Sequence, residues 1–418
     1  MKTMILAPGS RGDVQPYIAL GQALLGLGHR CTIVTTLDHE TLVRGYGLDV
    51  ATIPINVATE LARIETNRAV EGGGVIASFR QFTAIATRSA RALAQVGLDA
   101  ARDADVIVTN FGTTIAADGI GRRLGLPVVQ AFNVPLTSTS EFPGALFPGL
   151  DLGGVSRRLS HRLTRAALWL TSRTSANAAC MEVLGAPSAP RWPGTHAGLL
   201  PGRVLYGFSE ALLQRPADWS SDVDVTGFWS VQEPSTFSPP HELTRFLAAG
   251  PPPVCIGFGS MGTDKPDVVG KLVLDAAKAA RQRVVLLSGW AGLRSGLVSD
   301  DVIALEGVPH SWLYPRCAAV VHHGGAGTTA AAVSAGVPAV VVPFHGDQPF
   351  WASRVHKLRL GPAPIPRRQL TAARLASAIT TATTDEAMRA HSAAIGQRVR
   401  AEQGAVVAAK AIAAMGGA

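Results

Sequence analysis

The chain has 418 residues, of which 47% are apolar and 16% are charged, so it has enough material for two folded domains and too little charge for a disordered polymer. Its net charge of +8 is evenly divided, because residues 1–214 carry 19 basic and 15 acidic side chains and the remainder carries the same numbers. No basic arm or tail exists, so nucleic acid is not expected as a partner.

The first half of the chain has the pattern of an open parallel sheet. A short apolar run, a glycine-rich turn, a helix entered at Pro16 and a β-branched run follow one another within residues 3–36. Two further apolar runs with a helical stretch between them occupy residues 105–131. The pattern predicts a first doubly wound domain.

The same pattern restarts in the second half. A strand, a glycine-rich turn, a helix and another strand occupy residues 254–288, and apolar runs at 318–322 and 337–343 continue the series. A strand-like piece at 223–229 is predicted to open this second domain. The predicted fold class is therefore α/β, with two facing Rossmann-like domains and a cleft between them. In chain order, the first domain, a linker, the second domain and a C-terminal helix are predicted at residues 1–214, 215–222, 223–395 and 396–418.

A basic amphipathic helix is predicted within residues 157–185. Three arginines recur on one side of it and apolar residues recur on the other, namely Arg158, Arg162 and Arg165 against Leu159, Leu163, Ala166 and Leu170. The favoured interpretation is a surface helix whose apolar side packs in the core. The alternative is an acceptor-site role or a peripheral membrane contact through residues 157–173.

The cysteines and the first residues of the sequence indicate the cellular compartment in which the protein is expected. Cys31, Cys180, Cys255 and Cys317 are isolated, which suits reduced thiols and offers no metal-ligand spacing. Residues 4–7 are too short a run for a signal peptide, and no later run has the length of a membrane span. We therefore expect a cytoplasmic protein.

The strongest chemical motif begins at His322. A strand ends there and continues into His-Gly-Gly-Ala-Gly-Thr-Thr, after which an alanine-rich helix begins. Glycines allow backbone N–H groups to approach a ligand, and the first turn of a helix has unpaired N–H donors. The motif predicts a cradle for a diphosphate.

A second glycine loop leaves another class open. Gly257 to Gly262 formally matches G-x-G-x-x-G after a strand, which is typical of nicotinamide-dependent oxidoreductases. The acidic residue that would bind ribose is missing, because the next carboxylates after the following strand are Asp300 and Asp301. Asp222 and Asp224 have D-x-D spacing but stand beside no phosphate loop, so no metal site is predicted.

Four motifs together carry a family resemblance. They are Gly-Ser-Arg-Gly-Asp-Val-Gln-Pro at 9–16, Val-Pro-His-Ser-Trp-Leu at 308–313, the loop at 322–329 and Pro-Phe-His-Gly-Asp-Gln-Pro-Phe-Trp at 343–351. In this order they resemble the inverting, nucleotide-sugar-dependent glycosyltransferases of the GT-B fold. The residues of these motifs are most similar to those of sterol 3-beta-glucosyltransferases and of bacterial enzymes that glycosylate antibiotic aglycones.

The resemblance implies roles for individual residues. The donor diphosphate would be held by His323, Gly325, Gly327 and Thr328, with Ser260 closing over it. Trp312 would stack on the base, whereas its alternative is a core tryptophan. Asp347 and Gln348 would bind sugar hydroxyls, whereas their alternative is a turn cap. Asp13 would be the general base, and it is also a candidate N-cap of the first helix.

The resemblance also implies the reaction. It is transfer of a hexose, by default glucose from UDP-glucose, to a hydroxyl of a sterol, polyketide or other aglycone that contacts Phe132, Val134 and Phe142. The nucleotide sugar is a co-substrate, and no metal or other cofactor is expected. Residues 329–335 lack the glutamate with which plant relatives bind ribose, so a dTDP-deoxysugar donor stays open. Outside the transferases, a nicotinamide-dependent oxidoreductase and a non-catalytic lipid binder remain as alternatives.

Overall fold

A computed structural model describes residues 1–56, 89–188, 197–231, 237–258, 266–287 and 299–415. The chain divides into two compact units. The first unit contains Met1–Glu210, Gln214–Val231 and Gln403–Ala418, and the second contains Ala211–Leu213 and Gln232–Glu402. Apart from residues 211–213, the chain leaves the first unit after residue 231 and returns to it at residue 403.

The first unit is built on a seven-stranded sheet. Its strands are β1 (Lys2–Leu6), β2 (Arg30–Thr36), β3 (Asp49–Ile53), β4 (Val106–Thr109), β5 (Val128–Phe132), β6 (Val204–Tyr206) and β7 (Val223–Val225). They lie in the order β3-β2-β1-β4-β5-β6-β7, and every neighbouring pair is parallel. This is the open, doubly wound sheet that the sequence predicts.

The second unit has a five-stranded sheet of the same kind. Its strands are β8 (Val254–Gly257), β9 (Val284–Leu287), β10 (Val302–Leu305), β11 (Ala319–His322) and β12 (Ala339–Val341). They lie in the order β10-β9-β8-β11-β12 and are all parallel. Both units are thus parallel α/β domains, and the predicted α/β class with two doubly wound sheets is confirmed.

Helices cover the faces of the sheets. Over the whole described chain they are α1 (Arg11–Gly26), α2 (Glu40–Gly45), α3 (Thr114–Leu124), α4 (Gly154–Leu184), α5 (His241–Ala248), α6 (Pro266–Ala279), α7 (His310–Leu313), α8 (Ala326–Ala335), α9 (Gln348–Lys357), α10 (Ala372–Thr384), α11 (Glu386–Ala401) and α12 (Gly404–Ala413). Residues 89–101 are also helical. Short 3-10 turns occupy Leu37–His39, Tyr314–Arg316 and Arg367–Gln369.

The alternation along β1 explains the layering of the first unit. Ile5 belongs to a core with residues of α1 on one face of the sheet, whereas Met4 and Leu6 belong to a second core on the other face. Successive side chains of a strand point to opposite faces, so a strand covered on both sides is apolar at every position. The apolar run of Met4, Ile5 and Leu6 in β1 is the consequence.

The strand predicted to open the second domain belongs to the first. β7 pairs in parallel with β6, with Leu205 opposite Asp224, so it is the edge strand of the first sheet. The predicted linker at 215–222 also packs on the first unit, because Asp218 accepts hydrogen bonds from Thr139 and Ser140. A short apolar strand carries no mark of the sheet that it joins, which is why its sequence could not assign it.

The C-terminal helix packs on the first unit. Ala408, Ala409 and Ile412 of α12 lie in the same core as Val14 and Ile18 of α1. The predicted start of this helix at residue 396 falls inside α11; the chain turns at Gln403, whose φ of 49° is left-handed, before α12 begins. The last helix thus completes a core whose other members lie far earlier in the chain.

Candidate active site

The predicted diphosphate loop lies at the carboxyl edge of the second sheet. His322 ends β11 and stands in register between Gly257 of β8 and Val341 of β12. The loops that follow these three parallel strands therefore leave the sheet side by side, which is where open α/β sheets bind ligands. Ser260 and the remainder of the Gly257 loop lie outside the described residues.

The two histidines of the loop are neutral. His322 is fully buried, and burial, followed by the neighbouring His323 and His310, lowers its pKa to about 3. Burial and the nearby His345 lower the pKa of His323 to about 4. Because Nδ1 of His322 accepts the N–H of Gly324 at 3.0 Å, its proton sits on Nε2. Nε2 of His322 and Nδ1 of His323 are buried without a hydrogen-bond partner in the described structure.

Two glycines give the loop its shape. Gly324 has a φ of +88°, and a Cβ on it would lie 2.7 Å from the Cγ1 of Val341. A Cβ on Gly325 would lie 2.5 Å from Nε2 of His323. Gly324 thus requires glycine because of its conformation, whereas a Cβ on Gly325 would displace the imidazole of His323.

Helix α8 turns its free amides toward this loop. Its first intrahelical bond is made by the N–H of Thr329 to the carbonyl of Gly325, at 2.9 Å. The N–H groups of Ala326, Gly327 and Thr328 precede that bond and have no partner within the helix. The hydroxyl of Thr329 is buried and also has no partner among the described residues. The loop thus assembles N–H groups and neutral imidazoles, which suits a bound oxyanion.

The motif after β12 is ordered by its own polar side chains. Oε1 of the buried Gln348 accepts the N–H groups of Phe344 and His345, at 2.8 and 3.1 Å. Oδ2 of Asp347 accepts the indole N–H of Trp351 at 2.9 Å. These bonds correspond to the turn-capping alternative, and binding of sugar hydroxyls by Asp347 and Gln348 stays a prediction.

Trp312 lies on α7 and is half-buried, so it is not a core tryptophan. The guanidinium of Arg316 lies over its ring, 4.2 Å from the centroid, and Phe237 meets it edge-on at 5.9 Å. Arginine stacking occupies a flat aromatic surface in the way that a heterocyclic base would. Stacking of Trp312 on a nucleobase stays a prediction.

Asp13 stands at the corresponding edge of the first sheet. The N-cap of α1 is Ser10, and Asp13 is the third residue of the helix, so the expectation that Asp13 is the N-cap is wrong. Its Oδ2 accepts the backbone N–H of Ser10 at 2.9 Å and the hydroxyl of Ser10 at 2.8 Å. Burial raises the pKa of Asp13, while the bonds from Ser10 and the nearby His39 oppose that rise. A carboxylate with a raised pKa is a stronger base than a free one.

Ser10 and His39, to which the motifs assigned no role, influence the carboxylate of Asp13. Ser10 restrains its carboxylate, and the pattern Ser-x-x-Asp before an apolar helix is a sequence signal for that contact. His39 lies in the 3-10 turn after β2, and its Nε2 is 3.1 Å from the carbonyl oxygen of Gly9. No sequence signal predicts this second contact, because 30 residues separate the two partners.

The predicted acceptor residues differ in their surroundings. Phe132 is fully buried against Tyr206, and Phe142 is buried between His161 and Trp219. Val134 is half-buried. Contact of these side chains with an acceptor stays a prediction, and Val134 is the one of the three that is partly accessible.

The D-x-D sequence and possible metal-ligand clusters were the remaining candidates for a metal site. Asp224, the second residue of the D-x-D sequence, pairs with Arg203 at 2.7 Å. Within the described ranges, no group of three or more histidine, cysteine, aspartate or glutamate side chains could hold a metal ion.

Two protein-family models match the chain. Residues 3–120 match the glycosyltransferase family 28 N-terminal domain. Residues 271–415 match the C-terminal domain described as erythromycin biosynthesis protein CIII-like. The first match contains Asp13 and the second contains the loop after β11.

Curated relatives extend the likeness over nearly the whole chain. A sterol 3-beta-glucosyltransferase of Arabidopsis thaliana is 32% identical over 98% of this chain and 65% of the relative, and a second one from that plant is 34% identical over 91% and 62%. One from Pichia angusta is 32% identical over 98% of this chain and 33% of its own length. The chain thus spans less than two thirds of each of these relatives.

Solved structures show the same fold. A calicheamicin glycosyltransferase superposes with a TM-score of 0.67 at 19% identity, covering 99% of this chain and 98% of that chain. A glycosyltransferase solved in complex with dTDP gives a TM-score of 0.67 at 18% identity, covering 100% and 99%. Two parallel α/β units with a glycine-rich loop after β11 therefore define a GT-B fold. The chain therefore has the GT-B fold, and it is similar to glycosyltransferase family 28 in its N-terminal part and to the CIII-like domain in its C-terminal part.

Proposed function

We propose that this chain transfers a hexose, glucose from UDP-glucose, to a hydroxyl group of a hydrophobic acceptor such as a sterol, a polyketide or another aglycone. The observation that carries the proposal is the loop after β11, where the free amides of α8 adjoin two buried, neutral histidines. The matches to sterol 3-beta-glucosyltransferases support a hydrophobic acceptor.

The second unit would hold the donor. As the bond from the anomeric carbon to the diphosphate breaks, negative charge accumulates on the departing oxygen. His323 and the N–H groups of Gly325, Gly327 and Thr328 would stabilise that charge, because these donors are already oriented and need no rearrangement. Trp312 would stack on the base, Ser260 would close over the diphosphate, and Asp347 and Gln348 would bind the sugar.

The first unit would supply the base. The acceptor hydroxyl oxygen attacks the anomeric carbon on the side opposite the diphosphate, and Asp13 takes the hydroxyl proton. The bond to the diphosphate breaks, and the nucleoside diphosphate leaves with the electron pair. A single displacement of this kind inverts the anomeric centre. Desolvation by an apolar acceptor would raise the pKa of Asp13 further and thereby strengthen the base.

A dTDP-deoxysugar is the second candidate donor. Two structural neighbours that were solved in complex with thymidine diphosphate (dTDP) support this donor. Residues 329–335, which follow the first three residues of α8, include no acidic residue, so no carboxylate there selects for a ribose 2′-hydroxyl. Initial rates with UDP-glucose and with a dTDP-deoxysugar, measured on one acceptor, distinguish the two donors.

The remaining parts of the proposal concern the surroundings of the reaction. We place the protein in the cytoplasm, which its four free, buried cysteines support. We propose that transfer needs no metal, with protein N–H groups in its place. Contact of residues 157–173 with a membrane surface belongs to this proposal, because a poorly soluble acceptor has to be delivered to the enzyme.

The test is a screen of donors against acceptors by mass spectrometry, followed by Asp13→Asn. This variant should lower turnover by about 100-fold or more, the scale of general base catalysis, and should leave the affinity for UDP unchanged. Asp103→Asn, which alters an exposed carboxylate of the same unit, is the matched control and should behave like wild type. Near-normal turnover of Asp13→Asn would refute the base.

A further inference from the structure

The long helix α4 turns its apolar side to solvent. Val155 is 87% exposed, Leu159 50%, Leu163 41% and Leu170 48%, and Leu152 just before the helix is 88% exposed. Spacings of four and seven residues place these side chains on one face, in a row about 22 Å long at 1.5 Å per residue from position 155 to 170. The expectation that this apolar side packs in the core is wrong. We call these five residues the apolar row.

The opposite side of α4 is polar and fixed. Ser160 accepts the N–H of Gly144 at 2.7 Å, Nε2 of His161 is 3.0 Å from the carbonyl oxygen of Phe142, and the guanidinium of Arg165 donates to the carbonyl of Gly198 at 2.6 Å. All three side chains are buried. Rotating α4 to bury its leucines would break these bonds and leave buried polar groups unpaired, so the outward orientation of the row is built in.

Positive charge predominates on α4. The helix contains five arginines and one acidic residue, Glu182, which lies in its last turn and pairs with Arg91 at 3.0 Å. Arg158 and Arg162 flank the row and are exposed, and Arg158 pairs with Asp218 at 3.3 Å. Arg162 forms no ion pair with any residue that the structure describes. An apolar stripe flanked by arginines has the amphipathic character of helices that lie in the interface of an anionic bilayer.

We propose that the apolar row is a docking surface for a lipid bilayer that contains anionic lipid. The inference rests on the membrane contact of the proposed function and assigns it to named side chains; its consequence is that the enzyme takes its acceptor from that bilayer. A second copy of the chain fits the surface less well, because a two-fold interface along α4 would bring arginines against arginines. Within the described ranges no helix is long and apolar enough to cross a membrane, so α4 would lie on the surface.

The consequence for the acceptor follows from the two sides of the helix. The backbone groups that Ser160 and His161 hold belong to Gly144 and Phe142, in the segment predicted to contact the acceptor. One helix therefore carries both the lipid-facing row and the anchors of that segment. An acceptor that partitions into the bilayer would meet the enzyme beside these anchors.

The test is cosedimentation of the full chain with vesicles of phosphatidylcholine and phosphatidylglycerol, without donor or acceptor. The double variant Leu159→Glu/Leu163→Glu should lower vesicle partitioning at least about tenfold, because two leucines no longer enter the interface. Arg162→Gln should lower it about fivefold on anionic vesicles and leave binding to pure phosphatidylcholine unchanged. Val407→Glu, at a 45% exposed position of the same unit, is the matched control and should bind like wild type.

The outcomes separate this proposal from the proposed function. Equal vesicle binding by wild type and the double variant would overturn the docking surface, as would equal loss in Val407→Glu. Self-association in sedimentation velocity that the double variant abolishes, without vesicle binding by wild type, would also overturn it. Vesicle binding by a chain that transfers no sugar would refute the proposed sugar transfer and leave the docking surface intact. With both intact, the double variant should lose transfer to a vesicle-bound acceptor and retain transfer to the same acceptor in detergent micelles.

Discussion

The substitution Gly327→Ala tests whether residue 327 is glycine because a ligand approaches it rather than because the fold requires it. A Cβ at Gly327 would meet no atom within 4 Å, and the residue lies in the first turn of α8 with ordinary helical geometry. Alanine is the better helix former by about 0.5–1 kcal/mol, so the variant should be slightly more stable than wild type. A gain of this size raises the unfolding temperature of a unit this large by about 1–4 °C.

The affinity for the donor should change in the opposite direction. Side chains of a helix tilt toward its N-terminus, so the new methyl group would project over the free amides of the first turn. A diphosphate that approaches those amides closely would be displaced, and we expect about a 10- to 100-fold weaker affinity for UDP, equivalent to about 1.4–2.8 kcal/mol.

Calorimetric titration with UDP and thermal unfolding of the same preparations measure the two effects. Gly336→Ala provides the contrast, because Gly336 has a φ of +74° at the far end of α8. That variant should lose stability and keep its affinity for UDP. Unchanged donor affinity in a stable Gly327→Ala protein would mean that no phosphate approaches the start of α8.

Two further predictions concern pH. Ser10→Ala removes the hydroxyl hydrogen bond to Asp13, which favours the ionised carboxylate, and keeps the bond from the backbone N–H of residue 10. The pKa of Asp13 should therefore rise further, and the acidic limb of the transfer rate should move to higher pH. If the limb does not move, the titration of Asp13 does not cause it. Burial holds the pKa of His323 at about 4, below its ordinary 6.5, so an unfolded chain binds a proton in this interval and the folded one does not. The free energy of unfolding should therefore fall as the pH drops from 6.5 toward 4, and His323→Gln should reduce that slope by up to about 1.4 kcal/mol per pH unit in chemical denaturation. An identical slope in the variant would place the imidazole in water.

The sequence predicts β1, β2, β4 and β5 of the first sheet and β8, β9, β11 and β12 of the second, because these strands contain apolar or β-branched runs and their connections carry turn and helix signals. It also locates the loop after β11, because only a few loop types combine paired histidines, three glycines and two threonines. It does not predict the short strands β3, β6 and β10. What it cannot predict is set by contacts distant in the chain. The pairing of β7 with β6 and the approach of His39 to Gly9 are of this kind.

The error about α4 has a different cause. Amphipathic periodicity identifies an apolar face, and the usual inference that this face is buried rests on an average over proteins. In α4 the buried side is chosen by hydrogen bonds of Ser160, His161 and Arg165 to backbone groups elsewhere in the unit. The strength of those bonds is invisible in the spacing of the leucines.

The return of α12 to the first unit has a consequence for biosynthesis. Translation delivers most of the first unit before the second, yet the residues of α12 that close the α1 face of its core emerge from the ribosome only after the second unit. The carboxy-terminal unit, inserted between them, can complete its own sheet earlier. Any chimera that exchanges the amino-terminal unit must therefore carry its final helix with it, or α1 will be left with an uncovered apolar surface.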